Sequence, residues 1–210
     1  MITRAKIKAM AKEQIKGNIG PLFIVTLIIG GISFLAGLVL GMIPLGSLIL
    51  SLVVTPAFSL STLRIYLALV NDGKTPEAKD AFSGFDDFWT AFKTTFLVSL
   101  YTMLWSLLFI IPGIIKGYSY SMAMYIVAEN PGISAREAID RSKAMMDGNK
   151  MELFVLYLSL YGWALLTVIT LGIAGIWTIP YMNATLANFY NEVKPKEAVY
   201  SEVTPEPEEI

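Results

Sequence analysis

The feature that most constrains this chain is the absence of charge over long stretches. Gly17 to Leu63 are 47 consecutive residues without Asp, Glu, Lys or Arg, Thr94 to Ile115 are 22, and Leu153 to Asn191 are 39. An uncharged apolar run of about 18 or more residues is typical of a membrane-spanning helix. At about 1.5 Å per residue, the longest run would exceed a hydrocarbon core of about 30 Å more than twice. The long runs must therefore fold back as hairpins.

The composition excludes several kinds of function. The chain contains no Cys and no His. It therefore has no disulfide framework, thiolate nucleophile, zinc knuckle, imidazole ligand or Ser-His-Asp triad. The formal net charge of −1 argues against a nucleic-acid partner, because such proteins carry basic surfaces. We predict no cofactor, no metal site and no catalytic residue.

The basic residues predict the topology. Fifteen of the 16 lie before, between or after three hairpins whose uncharged turns fall near Pro44, Pro112 and Gly172, and Lys116 is the exception. Lys and Arg are enriched on the cytoplasmic side of membranes. We therefore predict an all-α, polytopic membrane bundle of about six transmembrane helices, arranged as three hairpins with both termini cytoplasmic. The predicted spans are about 20–43, 45–66, 94–111, 114–128, 153–171 and 173–190.

The fourth predicted span is unusual because it is short and begins beside Lys116. In one interpretation Lys116 extends to the outer headgroups while its aliphatic stem lies in lipid. In the other, the segment is a half-helix or re-entrant helix, which must be buried against its neighbours. Both interpretations remain open on the sequence alone.

The N-terminal segment predicts an amphipathic cytoplasmic helix. Arg4, Lys8, Lys12 and Lys16 recur every four residues, which places them on one stripe of a helix. They are candidate contacts for anionic lipid headgroups of the inner leaflet; the alternative is a topology signal without lipid specificity. Residues 1–43 resemble a signal peptide, but the apolar part is too long, so we expect it to stay attached as an anchor.

Two further polar segments predict cytoplasmic helices before the second and third hairpins. The second starts near Thr75 and carries aromatic residues such as Trp89, which are typical of the membrane interface; an aromatic ligand box is the alternative. The third has a capping box from Ser134 to Glu137 and ends at Gly148. Its charges pair at four-residue spacing, which indicates a solvated face, with a docking surface as the alternative.

The sequence also indicates an internal repeat. Matching pairs are Gly17-Asn18 with Gly148-Asn149, Leu22-Phe23 with Leu153-Phe154, and Tyr66-x4-Asn71 with Tyr125-x4-Asn130. We predict one membrane domain over 1–191 built from three degenerate copies, about 1–71, 75–130 and 134–191. Residues 192–210 hold six acidic residues and three prolines and predict a disordered acidic cytoplasmic tail.

A resemblance to a known family appears from Ile111 to Met122, whose sequence is IPGIIKGYSYSM. It continues through Glu129-Asn130-Pro131, Gly148-Asn149-Lys150 and Pro180-Tyr181. These segments are similar to the bacterial integral-membrane family called domain of unknown function 975. The resemblance implies a multi-pass plasma-membrane protein of mostly Gram-positive bacteria. It supplies no activity, substrate or catalytic residue.

The polar cluster within this motif is the candidate site. It consists of Lys116, Tyr118, Ser119, Tyr120 and Ser121. Polar residues inside a membrane often mark a functional pathway, so these side chains are candidates to line a ligand cavity. The alternative is that their hydroxyls are hydrogen-bond partners between helices.

Three functions are compatible with the sequence. The first is a non-catalytic structural, assembly or regulatory membrane component, whose cytoplasmic docking surfaces bind a protein partner or a second copy. The second is a small transporter or permease component. Because no Asp or Glu lies within the predicted spans to couple protons or sodium ions, its substrate would be uncharged or lipid-like. The third is an intramembrane enzyme. A serine or tyrosine hydroxyl would need a base to act as nucleophile, and the nearby candidates, Lys116 and Glu129, would have to lie on the same side of the membrane.

Overall fold

The protein is all-α, as predicted, in a computed structural model that describes residues 3–195. Its helices are α1 Arg4–Ile15, α2 Ile19–Gly41, α3 Gly46–Ile49, α4 Thr55–Asp72, α5 Phe88–Leu108, α6 Ile110–Tyr120, α7 Ala123–Glu129, α8 Ala135–Met145, α9 Lys150–Ile169 and α10 Gly175–Val193. A π-helical turn, Leu50–Val54, joins α3 to α4, and a 3-10 helix, Ala78–Phe85, precedes α5. No strand occurs between residues 3 and 195. The predicted tail lies mostly outside the described residues.

The uncharged runs fold into three hairpins: α2 with α3 and α4, α5 with α6, and α9 with α10. The second turn lies at Phe109, which has extended backbone angles, three residues before the predicted turn at Pro112. Pro112 instead occupies the first turn of α6. Proline is tolerated there because the amides of the first turn have no partner within the helix. The residue expected to end a helix therefore helps to begin one.

The predicted span 114–128 is not one helix, because the chain breaks between α6 and α7 at Ser121 and Met122. The Ser142 hydroxyl of α8 accepts a hydrogen bond from the Met122 amide at 3.2 Å and donates to the Ser119 carbonyl at 2.8 Å. A side chain from another helix thus satisfies the backbone groups that the break exposes. The prediction of a continuous helix was wrong for this tertiary reason.

The second polar segment is a 3-10 helix rather than the start of an α-helix. Glu77 and Asp80 form a capping box at its beginning. Gly84 then lies so close to α4 that a Cβ there would meet the Ala57 carbonyl oxygen at 2.0 Å. The Gly84 amide donates to the Ser61 hydroxyl at 2.8 Å. The segment is therefore held tightly along α4.

The hydrophobic core lies at the base of the hairpins, where α1, α7 and α8 close over the helix ends. Its largest fully buried apolar side chains are Ile15, Leu22, Leu60, Leu69, Met122, Ile126, Ile139, Met146, Leu153, Leu156, Leu160 and Tyr190. Toward the turns, the apolar side chains become exposed, and examples are Phe34, Leu38, Met103, Leu107, Ile110, Leu165, Val168 and Leu171. Each hairpin thus has a packed base and an uncovered apolar end.

Three helical segments are long and apolar enough to cross a membrane: Ile19–Gly41, Leu52–Asp72 and Lys150–Ile169. They correspond to the first, second and fifth predicted spans. By length and composition they indicate a membrane protein. This is a coarser result than the six-span topology predicted from the sequence.

Candidate functional site

The predicted polar cluster is divided among several contacts. The Lys116 ammonium lies 4.9 Å from the ring centroid of Trp105 on α5, a cation–π geometry. The Tyr118 ring packs against Phe154 and Tyr157 on α9, with centroids 6.1 and 6.3 Å away. Lys116 and Tyr118 therefore face different helices.

The remaining members of the cluster bond locally. Ser119 donates to the Ile115 carbonyl at 3.0 Å, and Ser121 donates to the Tyr118 carbonyl at 2.8 Å. Tyr120 is buried and packs against Tyr101. The serine hydroxyls thus serve the backbone of α6 and the turn after it. These five residues line neither of the two cavities described below.

The basic stripe of α1 lies beside a buried face. Ile7, Ala11 and Ile15 are buried in the core, and α1 packs chiefly against α10. Lys12 and Lys16 are exposed, Lys8 is partly exposed, and the Arg4 guanidinium lies 3.4 Å from the Glu152 carboxylate of α9. The apolar face of α1 is therefore covered by protein, while its basic stripe remains accessible.

At the base, polar contacts connect the last described helix, α10, and the residue after it to α1 and α7. The Asn188 amide of α10 donates to Gln14 of α1 at 2.5 Å. Glu129, at the end of α7, accepts hydrogen bonds from Tyr190 at 2.6 Å and from Lys194 at 2.5 Å. The described contacts of Glu129 do not include Lys116, whose cation lies over Trp105. The pairing that the intramembrane-enzyme hypothesis requires is not formed.

An aromatic ladder marks the start of α5. Trp89, Phe92 and Phe96 stack in sequence, with centroids 5.4 and 6.2 Å apart. The Lys93 ammonium lies 5.2 Å from the Trp89 ring centroid. Trp89 is largely exposed. The rings stack on one another along the outside of the helix, an arrangement typical of an interface anchor rather than of a ligand box.

Charged contacts at the base are short and local. Arg64 of α4 binds the Asp87 carboxylate and the Ser83 carbonyl. In the 3-10 helix before α5, the Lys79 ammonium lies 2.8 Å from the Glu77 carboxylate, and this hydrogen bond raises the pKa of Lys79. On α8, Ser134 accepts from the Glu137 amide at 3.2 Å, which confirms the N-cap half of the predicted capping box. The Glu137 carboxylate instead accepts from Arg141 at 2.6 Å.

A cavity of about 200 Å³ lies among α2, α4 and α10. Its polar lining consists of Thr26, Thr62, Tyr66 and Asn183, and the remaining lining residues are apolar or glycine. Tyr66 is only 3% exposed, and its hydroxyl lies near the Asn183 side chain but makes no hydrogen bond of ordinary geometry with any described residue. An unsatisfied buried hydroxyl costs free energy and calls for an explanation.

These four residues were not among the predicted site residues. The sequence contained one signal, since Tyr66 is the first residue of the repeated Tyr-x4-Asn pattern. Thr26 and Asn183 are single uncharged polar residues in apolar surroundings, and Thr62 directly follows Ser61. Their meeting depends on the packing of the first hairpin against α10, which is distant in the chain.

The fold and its three apolar helices define the class, a helical protein with segments suited to a membrane. The chain belongs to the family described as "Protein of unknown function (DUF975)", whose model matches residues 1–116 and 107–197. The resemblance seen in the sequence is confirmed. No curated protein and no solved structure matches the chain.

Proposed function

We propose that this protein is a non-catalytic, multi-pass component of the bacterial plasma membrane that presents a cytoplasmic platform for a partner. The observation that supports this proposal most directly is that the charged residues and the exposed apolar side chains lie in different parts of the described structure. In residues 3–195, every charged residue except Lys116 lies at the hairpin bases or in the segments between hairpins. The uncovered ends of the hairpins carry apolar side chains. Lipid is the environment that such a surface requires.

The topology within this proposal has six spans in three hairpins, the fourth being the broken segment of α6 and α7, with both termini cytoplasmic. The excess of Lys and Arg at the bases supports this orientation. The ladder of Trp89, Phe92 and Phe96, with Lys93 beside it, supports a membrane interface at the start of α5. The base then forms a compact layer beneath the bilayer.

The platform consists of exposed charged faces on α1 and α8. Arg136, Asp140 and Lys143 are exposed on α8, whereas Ala138 and Ile139 on its other face are buried. Lys12 and Lys16 are exposed on α1. Two rigid helices with free polar faces suit a cytoplasmic protein, a second copy or, on α1, anionic headgroups.

The internal repeat also belongs to this proposal, and local geometry supports it. Gly17 and Gly148 both have positive φ, +86° and +75°. The residues that follow them, Asn18 and Asn149, both donate to the carbonyl four residues earlier. Left-handed glycine followed by a back-bonded asparagine therefore starts the first and the third hairpins in the same way.

Reporter fusions test the topology. Fusions after Gly73 and Asn149 are expected to give a cytoplasmic signal, and a fusion at Gly46 an external signal. Membrane fractionation of each fusion is the control for insertion. An external signal at Gly73 or Asn149 would overturn the six-span arrangement, and recovery of the intact protein in the soluble fraction would overturn membrane placement altogether.

A transporter of an uncharged substrate is the second candidate, and the α2–α4–α10 cavity favours it. The cavity contains no charged residue, so ion-coupled transport has no carboxylate to use there. We expect reconstituted protein to show no proton-coupled uptake. Uptake driven by acidification and abolished by Lys116→Ala would contradict this expectation.

A further inference from the structure

The cavity among α2, α4 and α10 adjoins a second, more open one of about 360 Å³. The two share Ile29, Thr62 and Asn183 as lining residues. The second continues along α2 and α4 past Ser33 and Thr55, toward the turn of the first hairpin. Together they form a groove, closed near Tyr66 and open toward the apolar end of the bundle.

The polar groups of the groove are mostly acceptors. Thr26 and Thr62 donate their hydroxyl protons to carbonyls one turn earlier, each at 2.8 Å, and their oxygen lone pairs remain available. Asn183 donates through Nδ2 to the Ile179 carbonyl at 3.1 Å, which leaves its amide oxygen able to accept. The unpaired Tyr66 hydroxyl supplies the donor.

The groove also excludes charge. None of the residues that line either cavity is ionisable at neutral pH. Arg64 is close in sequence, but its guanidinium is committed to Asp87 and Ser83. A phosphate in these surroundings would be desolvated without a counter-charge, which is costly. The part of a ligand that enters must therefore be neutral.

We propose that this groove binds a neutral lipid of the diacylglycerol type. The free hydroxyl of the lipid donates to the acceptors of Thr26, Thr62 or Asn183, and an ester carbonyl accepts from Tyr66. An acyl chain then lies along the apolar wall toward Ser33. A phospholipid has ester carbonyls but carries a charged phosphate in place of the glycerol hydroxyl, so any hydroxyl of its headgroup lies beyond a charge that the groove does not neutralise. The site rests on the membrane placement proposed above and does not depend on transport.

Two substitutions distinguish an effect on lipid binding at this site from a general effect on helix packing. Tyr66→Phe removes only the unpaired hydroxyl. Gly30→Leu adds a side chain at the cavity wall, where a Cβ meets open space. Gly31→Leu is the matched control, because a Cβ at Gly31 also meets open space but this residue does not line the cavity.

Native mass spectrometry of the purified full chain in detergent tests the proposal, with added 1,2-dioleoylglycerol and, separately, dioleoylphosphatidylglycerol. We expect retention of dioleoylglycerol by the unmodified protein and by Gly31→Leu. Tyr66→Phe should weaken retention about threefold to tenfold, as for the loss of one hydrogen bond. Gly30→Leu should weaken it more than tenfold.

The thermal stability of the delipidated protein is the second measurement. Because the Tyr66 hydroxyl is unpaired in the free protein, Tyr66→Phe should leave the melting temperature unchanged or raise it. A lower melting temperature would show that this hydroxyl serves the fold and would overturn the site. Equal retention by all variants, retention of phosphatidylglycerol alone, or no retention would also overturn it. None of these results affects the topology, which the reporter fusions test independently.

Discussion

The base and the apolar end of each hairpin differ in how far their apolar side chains are buried, although they belong to the same helices. In α9, Leu153, Leu156 and Leu160 recur at helical spacing and are fully buried. Farther along, Leu165 and Val168 are mostly exposed. At the base, neighbouring protein determines where each side chain lies. At the other end, no described protein surface covers the side chains, so composition matters more than exact fit.

This difference teaches that stability and membrane placement are encoded in separate parts of the chain. Small residues and buried hydroxyls at the base fix how the helices meet. Uncharged apolar residues near the turns fix where the helices reside. The following substitutions test the separation, and each free energy of unfolding is measured by tryptophan fluorescence during denaturation in detergent micelles.

The largest effect is expected for Leu156→Ala. Leu156 is 0% exposed, so the substitution leaves a cavity and should lower the free energy of unfolding by about 2–5 kcal/mol. Leu165→Ala, in the same helix near the turn at 51% exposure, should change it by less than about 1 kcal/mol. Equal losses at both positions would contradict the division between base and end.

Gly84→Ala tests the close approach of the 3-10 helix to α4. The added methyl group would lie 2.0 Å from the Ala57 carbonyl oxygen, and the strain should cost about 3 kcal/mol. Gly31→Ala is the control, since its Cβ meets open space within α2, and alanine favours a helix by about 1 kcal/mol over glycine. A neutral Gly84→Ala would show that the segment is not held against α4.

Ser142→Ala removes the hydroxyl that bridges the break between α6 and α7. The Met122 amide and the Ser119 carbonyl lose their partner, and unpaired buried groups should cost about 1–2 kcal/mol. Ser121→Ala provides the comparison because, within residues 3–195, its hydroxyl bonds to the Tyr118 carbonyl, three residues earlier. If both variants lose the same stability, the bridge is not specific.

The smallest effect is expected for Lys116→Met. The substitution loses a cation–π contact worth about 0.5–1 kcal/mol at an exposed site. It also removes a charge from apolar surroundings, which offsets part of that loss. We expect a change below about 1 kcal/mol in either direction. A loss of several kcal/mol would place Lys116 within the packed part of the protein.

Local patterns predicted the elements well. Charge-free runs predicted hairpins, and the turns near Pro44 and Gly172 were correct because proline and glycine govern the backbone within a few residues. The Ser134 cap was correct for the same reason. Tyr66 and Asn183 were not predicted as a site, since their proximity follows from helix packing across more than 100 residues.

The differences from prediction have tertiary causes. The break at Ser121 is stabilised by Ser142, a residue in another helix. The 3-10 helix has its close contact with α4 through Gly84. The polar cluster around Lys116 remains a predicted site, chosen because its hydroxyls are consecutive in the sequence. On α6, however, Ser119 donates to the carbonyl four residues earlier, and Tyr118 and Tyr120 pack against different helices.

The contact between α1 and α10 has a consequence for synthesis. Gln14 meets Asn188, 174 residues later, so at about 5–20 residues per second roughly 10–35 s pass before the partner of α1 exists. During that interval the Ile7, Ala11 and Ile15 face lacks the contacts that α10 provides. A nearby anionic membrane surface suits both this face and the basic stripe beside it. The α1 helix is thus made well before it can reach its final position against α10.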